Sequence, residues 1–200
     1  YAKAGRTDQV MQRFSEMRRW GIQRDIVSYT IVIGAFAGAG KVRRATELLQ
    51  QMRESGVEPN VVTYAALLKG CAEKHKVVLA EQVMKEMQAT DVKPNNVLYN
   101  ILVHIYARDR NVRGAEGALR RMVKDRIAPD ETSFGALVKG AARSGDHARA
   151  EAWTSRALAA GYPPDMQTYR SLLSACAQVG DLVAADRTVD RMTASGIPED

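Results

Sequence analysis

Apolar, small and polar residues recur along this chain with a constant period of 35 residues. One aromatic position shows the period most clearly, at Tyr29, Tyr64, Tyr99, Phe134 and Tyr169. A small-residue position keeps the same spacing, at Ala45, Ala80, Ala115, Ala150 and Ala185. A polar position closes each period, at Asp25, Asn60, Asn95, Asp130, Asp165 and Asp200. Three separate positions that hold one period without a slip predict an array of repeats.

Each repeat is predicted to form two helices followed by a turn. In repeat 61–95 the first apolar set has the spacing i, i+3, i+4 and i+7, which gives one apolar helix face, at Tyr64, Leu67, Leu68 and Cys71. A second helix is predicted from Val77 to Met87, and the methionine position at its end is expected to fill the core. The prolines all lie in the turns that close repeats, at Pro59, Pro94, Pro129, Pro163, Pro164 and Pro198. Because proline breaks a helix interior, their placement supports these boundaries.

The short break between the two helices usually carries a glycine, at Gly5, Gly40, Gly145 and Gly180. Glycine adopts the left-handed conformation that ends many helices. His75 and Arg110 occupy this position in two repeats, where a left-handed backbone would cost up to ~1 kcal/mol. We therefore expect a different turn at those two places. Trp153 and Thr154 replace the usual Leu or Met, so the fourth repeat is expected to have the most altered interface.

The start of a repeat, as in Val62–Tyr64, and its end, as in Gly56–Asn60, resemble the pentatricopeptide repeat (PPR) family. The tetratricopeptide repeat has a period of 34, which five anchors at a spacing of 35 exclude. The resemblance implies an all-α fold, a right-handed α-solenoid superhelix of stacked antiparallel helix pairs. It covers residues 1–200 as one array, with a partial repeat at 1–25 and full repeats at 26–60, 61–95, 96–130, 131–165 and 166–200. Because the first residues match the end of a first helix, we expect a fragment of a longer chain.

The net charge indicates the kind of binding partner, and the cysteines indicate the redox state of the compartment in which the protein resides. The net charge of +6 favours an acidic partner, nucleic acid first. No stretch approaches the ~20 apolar residues of a membrane span, so no membrane partner is predicted. Cys71 and Cys176 occupy the same repeat position three repeats apart. At roughly 10 Å per stacked repeat they are too far apart for a disulfide, which indicates a reducing compartment.

Catalytic chemistry has little support in the sequence. The three histidines, His75, His104 and His147, occupy three different repeat positions and lack the spacing of metal ligands. There is no glycine-rich phosphate loop and no nucleophile motif. The prediction is therefore a protein that is not an enzyme, with no catalytic residue, no metal and no cofactor.

The resemblance implies that RNA lies along the first helices, with one base bound per repeat by two or three side chains. In the family the base is recognised by the fifth and the last residue of a repeat. Carried onto this sequence, the pairs are Thr30 with Asn60, Ala65 with Asn95, Asn100 with Asp130, Gly135 with Asp165, and Arg170 with Asp200.

The last residue of each pair has a direct chemical preference. Ionised Asp only accepts hydrogen bonds and suits the ring N–H of uracil or guanine, whereas Asn also donates and suits adenine or cytosine. In the family a fifth-position Thr favours purines and Asn favours pyrimidines. The expected bases are adenine for Thr30, uracil for Asn100, adenine or cytosine at Asn95, and guanine or uracil at Asp165. Arg170 departs from the pattern, and short polar residues at the last position are equally explained as helix caps.

Two further positions are carried over from the family. The second residue of a repeat wedges between successive bases, here Val27, Val62 and Val97, with Thr132 and Gln167 as departures. Phosphate contacts are expected from basic residues late in the first helix, Lys3, Arg108 and Arg143. Lys69 and Lys139 stand four residues earlier and are expected to face the same groove.

Three functional hypotheses follow. The first is a single-stranded RNA-binding protein of mitochondrial or chloroplast RNA metabolism, which stabilises, processes or helps to translate a transcript. The second is a scaffold subunit of an organellar ribosome or other ribonucleoprotein, which holds rRNA and other proteins; the weak pairs at Ala65, Gly135 and Arg170 motivate it. The third is the RNA-binding part of an RNA-processing enzyme whose catalytic domain lies outside these residues.

Overall fold

The computed structural model describes residues 7–73 and 76–195, which form eleven α-helices and no strand. The helices are α1 Thr7–Arg19, α2 Ile26–Gly38, α3 Val42–Glu54, α4 Val61–Glu73, α5 Val77–Gln88, α6 Asn96–Arg108, α7 Val112–Lys124, α8 Glu131–Arg143, α9 His147–Ala159, α10 Met166–Val179 and α11 Leu182–Ala194. The first helices of the five repeats, α2, α4, α6, α8 and α10, begin at the predicted repeat starts. The predicted all-α helical-repeat fold is therefore confirmed.

The chain divides into two compact units, Tyr1–Ile101 and Leu102–Asp200, with the boundary inside α6. In the N-terminal unit, α2 packs against α1, α3 and the next first helix, α4. In the C-terminal unit, α8 packs in the same way against α7, α9 and α10. Within each unit a first helix thus contacts both its own second helix and the first helix of the following repeat, as expected of stacked repeats.

The aromatic position that sets the period lies in the core. Tyr29, Tyr64, Tyr99 and Tyr169 are each no more than 1% exposed. Burying a large apolar side chain contributes about 1.5–3 kcal/mol, so this position stabilises these four repeats. The equivalent Phe134 of the fourth repeat is only half-buried. The small-residue position is also buried in four of the five repeats, at Ala45, Ala80, Ala115 and Ala150.

The buried tyrosines also connect the two helices of a repeat through their hydroxyl groups. The hydroxyl of Tyr29 lies 3.0 Å from Ser55 Oγ at the end of α3. The equivalent pair in the fifth repeat, Tyr169 and Ser195, is 3.1 Å apart. In the fourth repeat, Phe134 stands where the others have tyrosine, and Ala160 takes the place of the serine. The hydroxyl pair is therefore absent there on both sides at once, which leaves no polar group without its partner at that position.

In the fourth repeat, aromatic packing takes the place of the tyrosine–serine hydroxyl pair. The Phe134 ring lies 6.3 Å from Trp153 and 5.9 Å from Tyr162, measured between ring centroids. The indole N–H of Trp153 donates to Glu116 Oε1 at 3.1 Å, which joins α9 to α7 of the preceding repeat. A buried indole N–H needs such an acceptor.

Two glycines allow successive first helices to approach closely. A Cβ on Gly70 of α4 would lie 2.4 Å from the backbone and side-chain carbons of Ala37 on α2. A Cβ on Gly140 of α8 would lie 2.8 Å from Ala107 Cβ on α6. Both distances are far shorter than carbon–carbon contact, so only glycine fits where these helices meet.

The turn between the two helices of the third repeat differs from the expectation. Arg110 adopts the left-handed backbone, with φ of 57°, as Gly40, Gly145 and Gly180 do at the same position. Asn111 N donates to Tyr106 O at 3.0 Å, which matches the bond from Lys41 N to Phe36 O at 2.9 Å. The expectation of a different turn at Arg110 is wrong, because the same closing hydrogen bond holds arginine in a glycine conformation. His75 lies outside the described residues.

Candidate nucleic-acid interface

The last residue of each described repeat caps the first helix of the next. The side-chain oxygen accepts from the backbone N–H three residues later, in the pairs Asp25–Ser28 (2.8 Å), Asn60–Thr63 (3.1 Å), Asn95–Leu98 (3.1 Å), Asp130–Ser133 (2.9 Å) and Asp165–Thr168 (2.7 Å). The capping interpretation is therefore confirmed. Each cap uses one side-chain oxygen and fixes the orientation of the amide or carboxylate group.

In the first repeat, a chain of hydrogen bonds links the two predicted base-recognising residues. The Thr30 hydroxyl lies 2.8 Å from the Thr63 hydroxyl on the next first helix. Thr63 Oγ1 in turn donates to Asn60 Oδ1 at 3.2 Å. Asn60 Oδ1 also accepts from the backbone of Val62 at 3.0 Å, so this atom must be the oxygen. Asn60 is exposed as a residue, and its Nδ2 group has no hydrogen-bond partner among the described residues.

The three predicted wedge valines are exposed to solvent. Val27 is 58% exposed, Val62 is 62% exposed and Val97 is 50% exposed, although each lies in the first turn of a helix with a buried opposite face. Large apolar side chains left exposed at one repeated position favour a binding surface over a packing role.

In the third repeat, each of the two predicted residues is less exposed than its counterpart in the first repeat. Asn100 is 9% exposed, and its Nδ2 donates to Asn96 Oδ1 one turn earlier at 2.6 Å. Asp130 forms a capping box with Ser133, whose hydroxyl donates to Asp130 Oδ1 at 3.0 Å and accepts from Asp130 N at 3.2 Å.

The second, fifth and last positions of the fourth repeat come together around one cleft of about 420 Å³. Its walls include Thr132, Gly135, Lys139, Asp165 and Gln167. Lys139 Nζ lies 3.3 Å from Asp165 Oδ2, within an ion pair. Burial raises the pKa of Asp165, but the hydrogen bonds from Thr168 and the charge of Lys139 outweigh it and hold that pKa below its ordinary value. Asp165 is thus an acceptor at neutral pH.

Several cations surround this cleft. Arg108 and Arg143 are exposed, and Arg143 and His104 contribute to the cleft wall. Burial, followed by Arg108, Arg143 and Lys139, lowers the pKa of His104, so this histidine is neutral at pH 7. Lys139 differs from the exposed Lys69 at the equivalent position in being largely covered, with 22% of its side chain exposed.

The remaining predicted residues are placed as follows. Ala65 is half-buried, Asn95 is exposed, and Arg170 is exposed beside Arg143 in a shallower cleft on α8 and α10. Lys3 and Asp200 lie outside the described residues.

Sequence reasoning missed the third residue of the repeats, which connects neighbouring positions that are predicted to recognise bases. Thr63 and Thr168 are buried hydroxyl residues, and each donates to the preceding cap. A Cβ on Gly135 would lie 3.9 Å from Thr168 Oγ1, so the fifth position faces the third position of the next repeat here as it does at Thr30. The sequence pattern that could have revealed this third position is a hydroxyl residue three places after the cap. It is present at Ser28, Thr63, Ser133 and Thr168.

Other chemistry is limited in the part of the chain that the structure describes. No group of three or more His, Cys, Asp or Glu side chains is arranged to hold a metal ion among those residues. Cys71 and Cys176 are free and buried, and burial raises the pKa of the Cys71 thiol to about 11. Such a thiol is an inert packing group at neutral pH. Across residues 7–73 and 76–195, every helix is too short or too polar to cross a membrane.

Several solved structures have folds similar to this chain. The pentatricopeptide repeat protein PPR10 from maize is 24% identical with a TM-score of 0.82, over 96% of this chain and 28% of PPR10. The complex of PPR10 with an 18-nt psaJ RNA element gives a TM-score of 0.79 at 24% identity, over 97% of this chain and 29% of PPR10. The PPR domain of Arabidopsis thaliana protein-only RNase P 1 in complex with tRNA gives 0.69 at 19% identity, over 87% of this chain and 92% of that domain.

The chain thus spans less than a third of the length of PPR10. A comparison with curated protein sequences gave no match. Together, the family models match all 200 residues. The PPR repeat family matches residues 1–38 and 24–73, and the pentacotripeptide-repeat region of PRORP matches residues 69–200. On these matches, and with the helix pairs described above, the chain belongs to the pentatricopeptide repeat family.

Proposed function

We propose that this chain binds single-stranded RNA with one base per repeat, each base being selected by the fifth and last residues of a repeat. The observation that carries the proposal is the hydrogen-bonded series Thr30, Thr63 and Asn60. It holds two side chains that are 30 positions apart in sequence in one polar cluster, and the Nδ2 donor of the exposed Asn60 is left to meet a base. A preorganised donor of this kind binds a base with little further loss of side-chain freedom.

The chemistry of the cluster favours adenine. Asn60 Oδ1 is occupied by the cap, so the part of Asn60 that meets a base is its Nδ2 donor. Adenine and cytosine present a ring nitrogen that accepts from such a donor, whereas the ring N–H of guanine or uracil would oppose it. In the family a fifth-position threonine such as Thr30 favours the purine, which leaves adenine. The exposed Val27 and Val62 supply apolar surface on which bases can stack, a contribution of about 1–3 kcal/mol per base for aromatic platforms and less for valine.

Charge supports the same proposal in the C-terminal unit. The exposed Arg108 and Arg143 lie near the fourth-repeat cleft, and the whole chain carries a net charge of +6. Cations beside a base-sized cleft place the phosphates while the cleft selects the base. The role that we propose is passive: occupancy of a mitochondrial or chloroplast transcript that stabilises it, exposes it for translation or limits its processing, without catalysis by these residues.

The relatives agree with an RNA ligand. The PPR10 complex contains an 18-nt psaJ RNA element, and the RNase P PPR domain is bound to tRNA. A second candidate is the RNA-binding arm of an RNA-processing enzyme, and the match of residues 69–200 to the PRORP repeat region favours it. Tighter binding to folded tRNA than to an unstructured RNA of the same length would favour this second candidate.

The experiment is a binding titration with short single-stranded RNAs that differ by one base at a time. We expect selective binding that weakens as salt rises, because phosphate contacts release counterions. Asn100→Ala and Asp130→Ala are expected to reduce discrimination at one position by about fivefold to a hundredfold, the value of about 1–3 kcal/mol for one base contact. Equal affinity for all sequences, unchanged by these variants, would remove the proposal.

A further inference from the structure

Two repeats lack a hydrogen-bonding side chain at the fifth position, and both carry lysine one helical turn later. Ala65 is followed by Lys69, and Gly135 is followed by Lys139. The other three repeats have a polar fifth residue and no lysine at this place, with the pairs Thr30–Gly34, Asn100–His104 and Arg170–Ser174. Residues four apart lie on the same helix face. Each lysine therefore lies next to the fifth position, where the small residue offers no hydrogen-bonding side chain.

The geometry of the fourth repeat brings that lysine into the base cleft. Lys139 Nζ lies 3.3 Å from Asp165 Oδ2 and 3.4 Å from Gln167 Oε1. The wall above Gly135 is open, since a Cβ there would meet only Thr168 Oγ1, at 3.9 Å. The fourth repeat thus pairs the last residue, Asp165, with Lys139 in place of a fifth-position side chain.

We propose that Lys139 is a specificity-determining residue of the fourth repeat and that, together with Asp165, it selects guanine. The inference rests on the proposed function, since it assigns a ligand to one of the base sites. It also changes the role of Lys139 from a phosphate contact to a base contact.

The hydrogen-bonding groups of the two side chains match guanine better than the other bases. Lysine has three donors and no acceptor, and ionised aspartate only accepts. Guanine offers O6 and N7 to a donor, and its N1–H and N2–H₂ groups to an acceptor. Uracil offers only one N–H to Asp165, and its two carbonyl oxygens flank that N–H, so one of them faces the carboxylate. Adenine and cytosine present an amino group near Lys139 and no ring N–H to Asp165.

The size of the cleft also favours guanine over a pyrimidine. With glycine at position 135, the cleft of about 420 Å³ has room for the larger purine ring. In the first repeat, Thr30 occupies the corresponding space, and Gly34 leaves the lysine position empty. The two repeats therefore place their polar side chain at alternative positions on one helix face.

The test moves a single guanine through every position of an otherwise uridine RNA and measures the dissociation constant for each. The wild-type chain is expected to bind most tightly when guanine occupies one particular position. Lys139→Met keeps most of the side-chain length and is expected to reduce the guanine advantage at that position by about tenfold, within the range for a base contact. Arg120→Met on the exposed surface of α7 removes the same charge and is expected to leave that advantage unchanged.

A second variant distinguishes a change in base recognition from a loss of folding, because it is expected to gain a new base preference. Gly135→Asn combined with Lys139→Met restores a fifth-position side chain like that of Asn100 and is expected to change the preferred base from guanine to uracil. If Lys139→Met weakens binding of all four bases equally, Lys139 is a phosphate contact and the inference is overturned, while the proposed function stands. If the wild-type chain binds RNA without any preference, the proposed function fails as well.

Discussion

The hydroxyl groups of Thr30 and Thr63 lie 2.8 Å apart, although the two residues belong to successive repeats. Thr63 is fully buried and also donates to Asn60, so its hydroxyl connects the two residues that we propose recognise a base in the first repeat. The position of one first helix against the next is therefore part of the proposed base site. A change in helix packing is expected to alter base selection even where no recognising residue is replaced.

The close approach of α2 and α4 at Gly70 leads to a stability prediction. Gly70→Ala is expected to destabilise the protein by about 1–3 kcal/mol, because the new Cβ overlaps the backbone of Ala37 and the helices must separate. Chemical denaturation followed by circular dichroism measures the change.

Gly117 supplies the matched control. It lies inside α7, where a new Cβ would meet only the tip of Arg120 at 3.9 Å. Gly117→Ala is expected to stabilise the protein by about 0.8–1 kcal/mol through helix propensity alone. If both alanine variants stabilise the protein equally, Gly70 has no packing role.

Arg110 adopts φ of 57° without the freedom of glycine, and its side chain is exposed. Arg110→Gly is expected to stabilise the protein by about 0.5–1 kcal/mol, because the left-handed strain is removed and no buried contact is lost. Arg120→Gly, in the interior of α7, should lose about 1 kcal/mol instead. Thermal melting of the two variants side by side decides this, and a loss of stability in Arg110→Gly would contradict it.

The ion pair between Lys139 and Asp165 can be tested by measuring the pKa of Asp165. The pKa of Asp165 lies below its ordinary value of 3.8, so its contribution to stability is complete above that pH and is lost as the pH falls through the folded-state pKa. Lys139→Met is expected to raise the pKa of Asp165 and to move this loss to higher pH. Carboxyl carbon NMR measures the shift directly.

Asp25 is the internal reference for that titration. Its pKa is also lowered, but by hydrogen bonds from the side chain and backbone of Ser28 and without a lysine. We expect the pKa of Asp25 to be unchanged in Lys139→Met. An unchanged pKa at Asp165 would mean that Lys139 does not approach it in solution.

The helices and their boundaries were predictable because local signals agree along this chain. Cap residues, turn prolines and apolar faces recur at one period, so each repeat supports the assignment of the others. The expectation failed at Arg110, where local preference opposes the left-handed backbone. The packed helices on either side and the bond from Asn111 N to Tyr106 O outweigh a cost of about 1 kcal/mol.

The candidate site was predictable only in part, since its positions follow from the repeat but its contacts depend on neighbouring repeats. The cap role of Asn60 and the exposure of Val62 could be expected from position alone. The ion pair of Lys139 with Asp165 could not be expected from sequence position. It joins residues 26 positions apart through a side chain with four rotatable bonds. From the sequence alone, Gly135 indicates only a weak pair with Asp165, and the space that it leaves for the Lys139 side chain becomes visible in the structure.

The most direct measurement of the central claim is the base preference of Asn60→Asp. Aspartate keeps the helix cap but replaces the Nδ2 donor with an acceptor, so the fold is retained while the recognised edge is reversed. With RNAs that carry adenine or guanine at each position in turn, the account predicts that the preference at one position changes from adenine to guanine and that the other positions keep theirs. An Asn60→Asp protein that folds normally and keeps the wild-type preference at every position would contradict the account.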